Sequence, residues 1–393
     1  MNALDSLRVL DVTQFMAGPF CAMLLADLGA DVIKIEPPSG DATREMPGAI
    51  GTDSPSFNAV NRGKRSVVLN LKMTEGRDIF KRLARSSDIV IENYRPAAMK
   101  TLGLDYPTLS ALNPRLIYAS ISGYGQTGPY RNRGGFDLIA QGFSGLMSIT
   151  GEPGRPPAKT GVPLTDLGAG LFTLVGILAA VHYRDRTGIG QHVDTSLIEA
   201  GIALSIWEAT EYFSGAGIPA PLGSAHRMNA PYQAIRCADG YITIGANNDR
   251  LFRRLSELLG HPEWVDAPDY VDNASRVRNR AALAARLEQI MVQQPRDHWL
   301  ALFEANDIPC GPINNYEQVF ADPHVVAREM IIETEHPVLG RLKTLGSPIK
   351  LSATPPDPRR RAPLLGEHTD EVLTQAGLSE ADIQALRQSG AVR

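Results

Sequence analysis

Short apolar runs alternate with amphipathic stretches along the first third of the chain, with turn residues between them. Residues 7–13 read as a buried strand, and a helix follows over about 19–28, stopped by Gly29. Residues 30–36, 66–71, 88–92 and 115–122 read as further strands. Thr74 is expected to cap a helix that has Glu75 in its first turn. Strands alternating with helices imply an α/β fold with a Rossmann-like large lobe, its parallel sheet covered on both faces. Ligands of such folds bind beyond the carboxyl ends of the strands, here 13–18, 36–40, 71–72, 92–95 and 122–125.

The longest apolar stretch, around 167–182, contains glycine and falls short of a membrane span, so it reads as a buried helix over about 167–183. A Gly/Pro-rich stretch near 213–231 reads as a linker. Beyond it, 232–236 and 240–245 read as a hairpin, followed by helices at about 249–259, 276–292 and 296–305. The expected organisation is a large domain from 1–212 and 330–393, with a linker and a small α+β domain over 213–329. The Pro- and Arg-rich segment 346–365 is expected to cross a surface back to the first lobe, and a helix pair over about 367–388 ends the chain.

Composition narrows the partners. Of 393 residues, 43% are hydrophobic and 21% charged, and the net charge is −4 with a pI near 6.1. Neither nucleic acid nor an anionic membrane is attracted by such a balance, so local basic groups must hold any anionic ligand. The first eight residues lack a basic segment followed by an apolar core, so no signal peptide is expected. Cys21, Cys237 and Cys310 are odd in number and scattered, which suits a reduced, cytoplasmic protein. The eight histidines show no HxxxH or HxH spacing, so no metal is expected. The turn after the first strand has only Gly18 where a dinucleotide loop would read GxGxxG, and no GxxxxGK[ST] loop occurs, so no nucleotide redox cofactor is expected.

Chemistry concentrates at Asp166, in the run Gly-Val-Pro-Leu-Thr-Asp-Leu-Gly-Ala-Gly over 161–170. Small and apolar residues flank it, and no Lys or Arg lies nearer in sequence than Lys159. Asp is among the best N-cap residues, so it would start the apolar helix well. The dipole of that helix would keep it ionised, and an ionised carboxylate in a closed pocket can act as a nucleophile. The two roles do not exclude each other. The basic run Asn-Arg-Gly-Lys-Arg over 61–65 reads either as a solvated turn or as a phosphate contact. Lys72, Arg95 and Lys100 fall at or just past strand ends, Tyr94 beside Asn93 offers an aromatic face and an amide to an adenine ring, and Arg359, Arg360 and Arg361 read as a solvated run or, second, as a contact to a partner or ligand phosphate. No GxSxG elbow supports a serine nucleophile.

These segments together resemble the family III CoA-transferases, also called the CaiB/BaiF or formyl-CoA transferase family. The resemblance rests on 7–12 with Ala17-Gly18-Pro19, on 28–36 followed by 40–44, and on 61–66, 92–96, 122–129, 187–194 and 363–369. It implies a large lobe built from both chain ends, a smaller lobe, and a homodimer of two chains threaded as interlocked rings. It also implies a coenzyme A thioester as co-substrate and Asp166 as the nucleophile. By the same resemblance, CoA should contact Met16, Ala17, Leu69, Lys72, Asn93, Tyr94 and Arg95, and backbone amides around Gly168 and from the small lobe should hold the oxyanions. Two places depart from the pattern. Basic residues that some relatives carry after the second strand are Pro37 and Pro38, and the glycine-rich loop of the formyl-CoA transferases is replaced by 224–229. That bulkier loop would place His226 or Arg227 near the second carboxylate of a dicarboxylic acid. Succinyl-CoA is the expected donor, and no partner other than acyl-CoA, small carboxylates and a second copy is expected. The rival reading is an α-methylacyl-CoA racemase, which uses the same aspartate for proton transfer with a histidine in a Gly-His-Asp run. Here that run is Gly135-Phe136-Asp137, and phenylalanine cannot carry a proton. A non-catalytic CoA-binding protein would hold CoA but form no acyl-enzyme.

Overall fold

The computed structural model describes residues 2–393. Contacts divide the chain into two compact units. The first comprises 1–147, 159–217 and 323–393, the second 148–158 and 218–322, so the short segment 148–158 joins the second unit although it lies in sequence between halves of the first.

The first unit is built on six strands: β1 (Arg8–Asp11), β2 (Asp31–Glu36), β3 (Arg65–Val68), β4 (Ile89–Glu92), β5 (Ile117–Ser122) and β6 (His192–Ser196). All neighbouring pairs are parallel, in the order β3-β2-β1-β4-β5-β6. Chain order reverses direction between β1 and β4, and that switch point is where α/β sheets open a crevice for ligands. Successive residues point to opposite faces, and both faces are buried. Val9, Val32, Ile89, Ile91 and Ile117 pack under the helices Ala17–Asp27, Leu164–Thr187 and Leu197–Leu204. Leu10, Ile33, Val67, Val90 and Tyr118 pack on the other side, against Thr74–Arg85 and the C-terminal helices Thr369–Gln375 and Glu380–Ser389.

Several expectations are corrected. The strand β6 was not read from sequence. The long helix runs from Leu164 to Thr187, three residues further upstream than expected, and by length and composition it could cross a membrane. Its buried face is a core face of this unit, with Gly168, Ala169, Gly170 and Ile177 turned inward. The helix expected over 276–292 is two, Asn273–Arg278 and Arg280–Met291, divided at Asn279. Thr74 is the first helical residue, and Met73 occupies the cap position.

The second unit carries an antiparallel sheet of β7 (Tyr232–Cys237), β8 (Gly240–Gly245) and β9 (Cys310–Pro312). Helices over Asp249–Leu258, Arg280–Met291 and Arg296–Glu304 close a core around Ile235, Ile242, Phe252, Trp299 and Phe303.

The basic run 61–65 is neither a solvated turn nor a phosphate contact. Arg62 is buried against Asp27 at 2.7 Å, Lys64 against Asp11 at 2.7 Å, and Arg65 pairs with Asp31. Arg359 pairs with Glu329 at the exposed surface, as a solvated run would, while Arg361 pairs with Glu367 and Arg360 donates to the Ala26 carbonyl.

Candidate functional site

The switch point is held by a reciprocal clamp. Asn93, just past β4, accepts from the Gln14 N–H through Oδ1 at 2.9 Å and donates through Nδ2 to the Gln14 carbonyl at 2.7 Å. The loop after β1 is thereby fixed to the loop after β4. Its next residue, Phe15, takes φ 66, a left-handed conformation that a non-glycine residue adopts only when its surroundings compel it. The Asn93 amide thus spends one acceptor and one donor on positioning this loop. Glu92 supports the same turn by accepting the Tyr94 N–H at 2.8 Å. Burial pushes the Glu92 carboxyl up to about 7. Gln14 Nε2 donates to the Tyr94 hydroxyl at 3.3 Å.

Two adjoining pockets lie along the carboxyl edge of the sheet. The larger, of about 830 Å³, covers the ends of β2 and β3 and is lined by Leu69, Lys72, Tyr94, Arg95, Pro37 and Pro38 among others. The smaller, of about 220 Å³, lies over β1, β4 and β5 and is lined by Met16, Ala17, Asn93, Tyr94, Arg95 and Asp166 with their neighbours. Tyr94 and Arg95 belong to both linings. The eight first-unit residues that the resemblance singles out are therefore gathered into one band. His226 and Arg227 lie in the second unit. His226 Nδ1 accepts the Met228 N–H, and Arg227 donates to the Ala220 carbonyl, so both side chains hold their own loop.

Asp166 is not the cap of its helix. Pro163 stands at the cap position and Asp166 in the first turn. The capping work is done from elsewhere in sequence: Asp137 Oδ1 accepts from the Thr165 N–H at 3.0 Å and from its hydroxyl at 2.7 Å. Gln141, fully buried, donates to Asp137 at 2.7 Å and accepts the Thr160 N–H at 2.9 Å, which fixes the run leading into the helix. With Asp137 in that role, no hydrogen bond or ion pair engages the Asp166 carboxyl among the described residues. Burial, and then the charge of Asp137, push it up to about 7. Both effects oppose the helix dipole that was expected to keep it ionised. Close packing sets its position. A Cβ on Gly170 would lie 2.7 Å from the Ala17 carbonyl, so the long helix rests directly on the start of the helix Ala17–Asp27. Gly168 lies beyond the four N–H groups that a helix leaves unpaired, which removes it as an oxyanion donor.

Arg133 also lines the smaller pocket, and no motif marks it; the double glycine that follows is its only signal in the sequence. Phe136 also lines the pocket, 72% exposed, where a racemase would hold its histidine. Among the described residues, no three or more His, Cys, Asp and Glu side chains group as a metal would require.

The family model "CoA-transferase family III" matches residues 4–369. The chain belongs to this family. It is 39% identical over 377 residues to the succinyl-CoA:glutarate CoA-transferase of Homo sapiens, covering 95% of this chain and 86% of that one. It is 41% identical over 388 residues to the succinyl-CoA:mesaconate CoA-transferase of Haloarcula marismortui, covering 96% and 97%. A solved CaiB/BaiF family protein from Brucella suis superposes with a TM-score of 0.85 at 40% identity, over 96% of this chain and 100% of that one. As a family III member the chain is a CoA-transferase.

Proposed function

We propose that this enzyme moves CoA from succinyl-CoA to a small dicarboxylic acid through covalent intermediates on Asp166. One observation carries the reading: a half-buried carboxyl relieved of its capping role by Asp137 and unpaired in the pocket at the sheet's switch point. Similarity to enzymes named for glutarate and mesaconate supports the dicarboxylic acceptor.

The Asp166 carboxylate attacks the donor thioester carbonyl, and the C–S bond breaks to give a mixed anhydride and CoA thiolate. The thiolate attacks the aspartyl carbonyl, releasing the donor acid and leaving an aspartyl-CoA thioester. The acceptor carboxylate attacks that thioester, giving a second anhydride and free thiolate. Attack of the thiolate on the acceptor's carbonyl yields the new acyl-CoA and restores Asp166. Activation is conserved at every step, as covalent catalysis requires. In this reading the larger pocket takes the CoA moiety, with Lys72 and Arg95 toward its phosphates, and the smaller pocket takes the thioester. The N–H groups at the start of the helix Ala17–Asp27, unpaired as at any helix N-terminus, are the candidate oxyanion donors. Two copies pair through the apolar residues exposed along the long helix and the helices after it, among them Val175, Ile206 and Phe213; the resemblance makes that pairing interlocked. The three cysteines are free, in keeping with a cytoplasmic setting.

Transfer of CoA from succinyl-CoA to glutarate, followed with the wild type and Asp166→Asn, tests the reading. The variant should fall to background while keeping its fold. Turnover near the wild-type rate would overturn the mechanism, and α-proton exchange by the wild type without CoA transfer would restore the racemase reading.

A further inference from the structure

The pocket around Asp166 is lined by two cations and one acid side chain, Arg95, Arg133 and Asp166. Arg133 is exposed to solvent at the pocket's edge. Its guanidinium lies over the Tyr130 ring, 3.7 Å from the centroid, and no ion pair or side-chain hydrogen bond engages it among the described residues.

The platform beneath it is constructed. Tyr130 meets Tyr124 and Phe143 edge-on at 5.9 and 6.0 Å, and those two rings meet each other at 5.5 Å. The backbone beside it is pinned, because a Cβ on Gly135 would lie 2.6 Å from the Gly123 Cα at the end of β5. Gly134 leaves room for the second cation: a Cβ there would lie 3.2 Å from Arg95 Nη2. A guanidinium stacked on a ring keeps its in-plane N–H edge for a planar acceptor such as a carboxylate.

The charge balance then selects among acids. The acyl end of a monocarboxylic thioester is neutral, so covering Arg133 with it would desolvate a cation without compensation. The half-thioester of a dicarboxylic acid keeps one carboxylate, and that group pairs with the cation. We propose that Arg133 is the specificity-determining residue that binds the distal carboxylate of the dicarboxylic donor and acceptor, while Arg95, shared by both pockets, serves the CoA side. This assignment rests on the CoA-transfer reading of Asp166. It moves the carboxylate contact expected of His226 and Arg227 to a cation that lines the nucleophile's own pocket.

Steady-state transfer with succinyl-CoA or butyryl-CoA as donor, and glutarate or pentanoate as acceptor, tests it in the full-length wild type, Arg133→Met and Arg133→Lys. Loss of a charge-assisted contact should raise KM for succinyl-CoA and glutarate about 10- to 100-fold in Arg133→Met. Butyryl-CoA and pentanoate should change less than about threefold or improve, and Arg133→Lys should fall between. Hydroxylamine labelling of the Asp166 peptide by butyryl-CoA should persist in Arg133→Met, showing that fold and nucleophile survive. Equal losses for succinyl-CoA and butyryl-CoA would make Arg133 a CoA contact and overturn the proposal, as would no change for either. The proposal would also fall if KM for glutarate rose in His226→Gln or Arg227→Gln but not in Arg133→Met. A wild type that labels Asp166 yet transfers only to monocarboxylic acids would overturn this inference alone. A wild type that neither labels nor transfers would overturn the underlying reading.

Discussion

Asp166 works against the stability of the fold that holds it. Its ordinary pKa of 3.8 is raised to about 7 in the folded chain, by burial first and Asp137 second. The folded state therefore binds the proton more tightly than the unfolded one. The resulting stabilisation is full below about pH 4 and is lost as pH rises through 7. Asp166→Asn removes that dependence, so at pH 8 it should melt at a higher temperature than the wild type, with the gap closing toward pH 4. Calorimetry across that range checks the sign, and a variant less stable at pH 8 would contradict it. In the proposed mechanism the same shift sets the acid limb of the reaction, since only a carboxylate would attack the thioester. Initial acylation by succinyl-CoA should rise with pH through about 7. Asp137→Asn, which removes a like charge, should move that limb to lower pH, as a pH–rate profile would show.

At the scale of elements, the site depends on glycines that let backbones meet. Gly170→Ala would push the long helix off the Ala17 carbonyl. A stability loss of about 1–3 kcal/mol is expected, with a fall in kcat larger than the change in KM for CoA esters, measured by denaturant melts and kinetics. The sheet was legible because strands buried on both faces read as Val/Ile/Leu runs. The exception, β6, is an edge strand, half exposed and polar in His-Val-Asp-Thr-Ser, so its pattern resembles a loop. The helix start was misplaced because its cap, Asp137, lies 28 residues upstream, beyond the reach of any local rule. Arg62 and Lys64 were misread for the same reason: their partners Asp27 and Asp11 stand 35 and 53 residues away. The band of residues at the strand ends was legible through the family resemblance and the carboxyl-edge rule. Arg133 was not, because only the fold carries it to Asp166.

At the scale of the molecule, charge buried near the sheet edge trades stability for placement. Lys64 also donates to the Pro19 carbonyl, within the helix Ala17–Asp27 that borders the Asp166 pocket. Lys64→Met would strand Asp11, whose carboxyl Lys64 and Lys34 hold at about 2 against the opposing effect of burial. The expected cost is about 3–5 kcal/mol by denaturant melt. The exposed apolar residues of the long helix and its successors should be covered in a dimer, and sedimentation should give twice the 42.5 kDa chain mass. A monomer at micromolar concentration would contradict that assembly. The central claim is the covalent bond on Asp166, and peptide mass spectrometry after mixing the protein with succinyl-CoA and quenching in hydroxylamine tests it most directly. The account predicts a hydroxamate on the peptide containing Asp166 and none in Asp166→Asn. Label on another residue, or no label while CoA transfer proceeds, would contradict it.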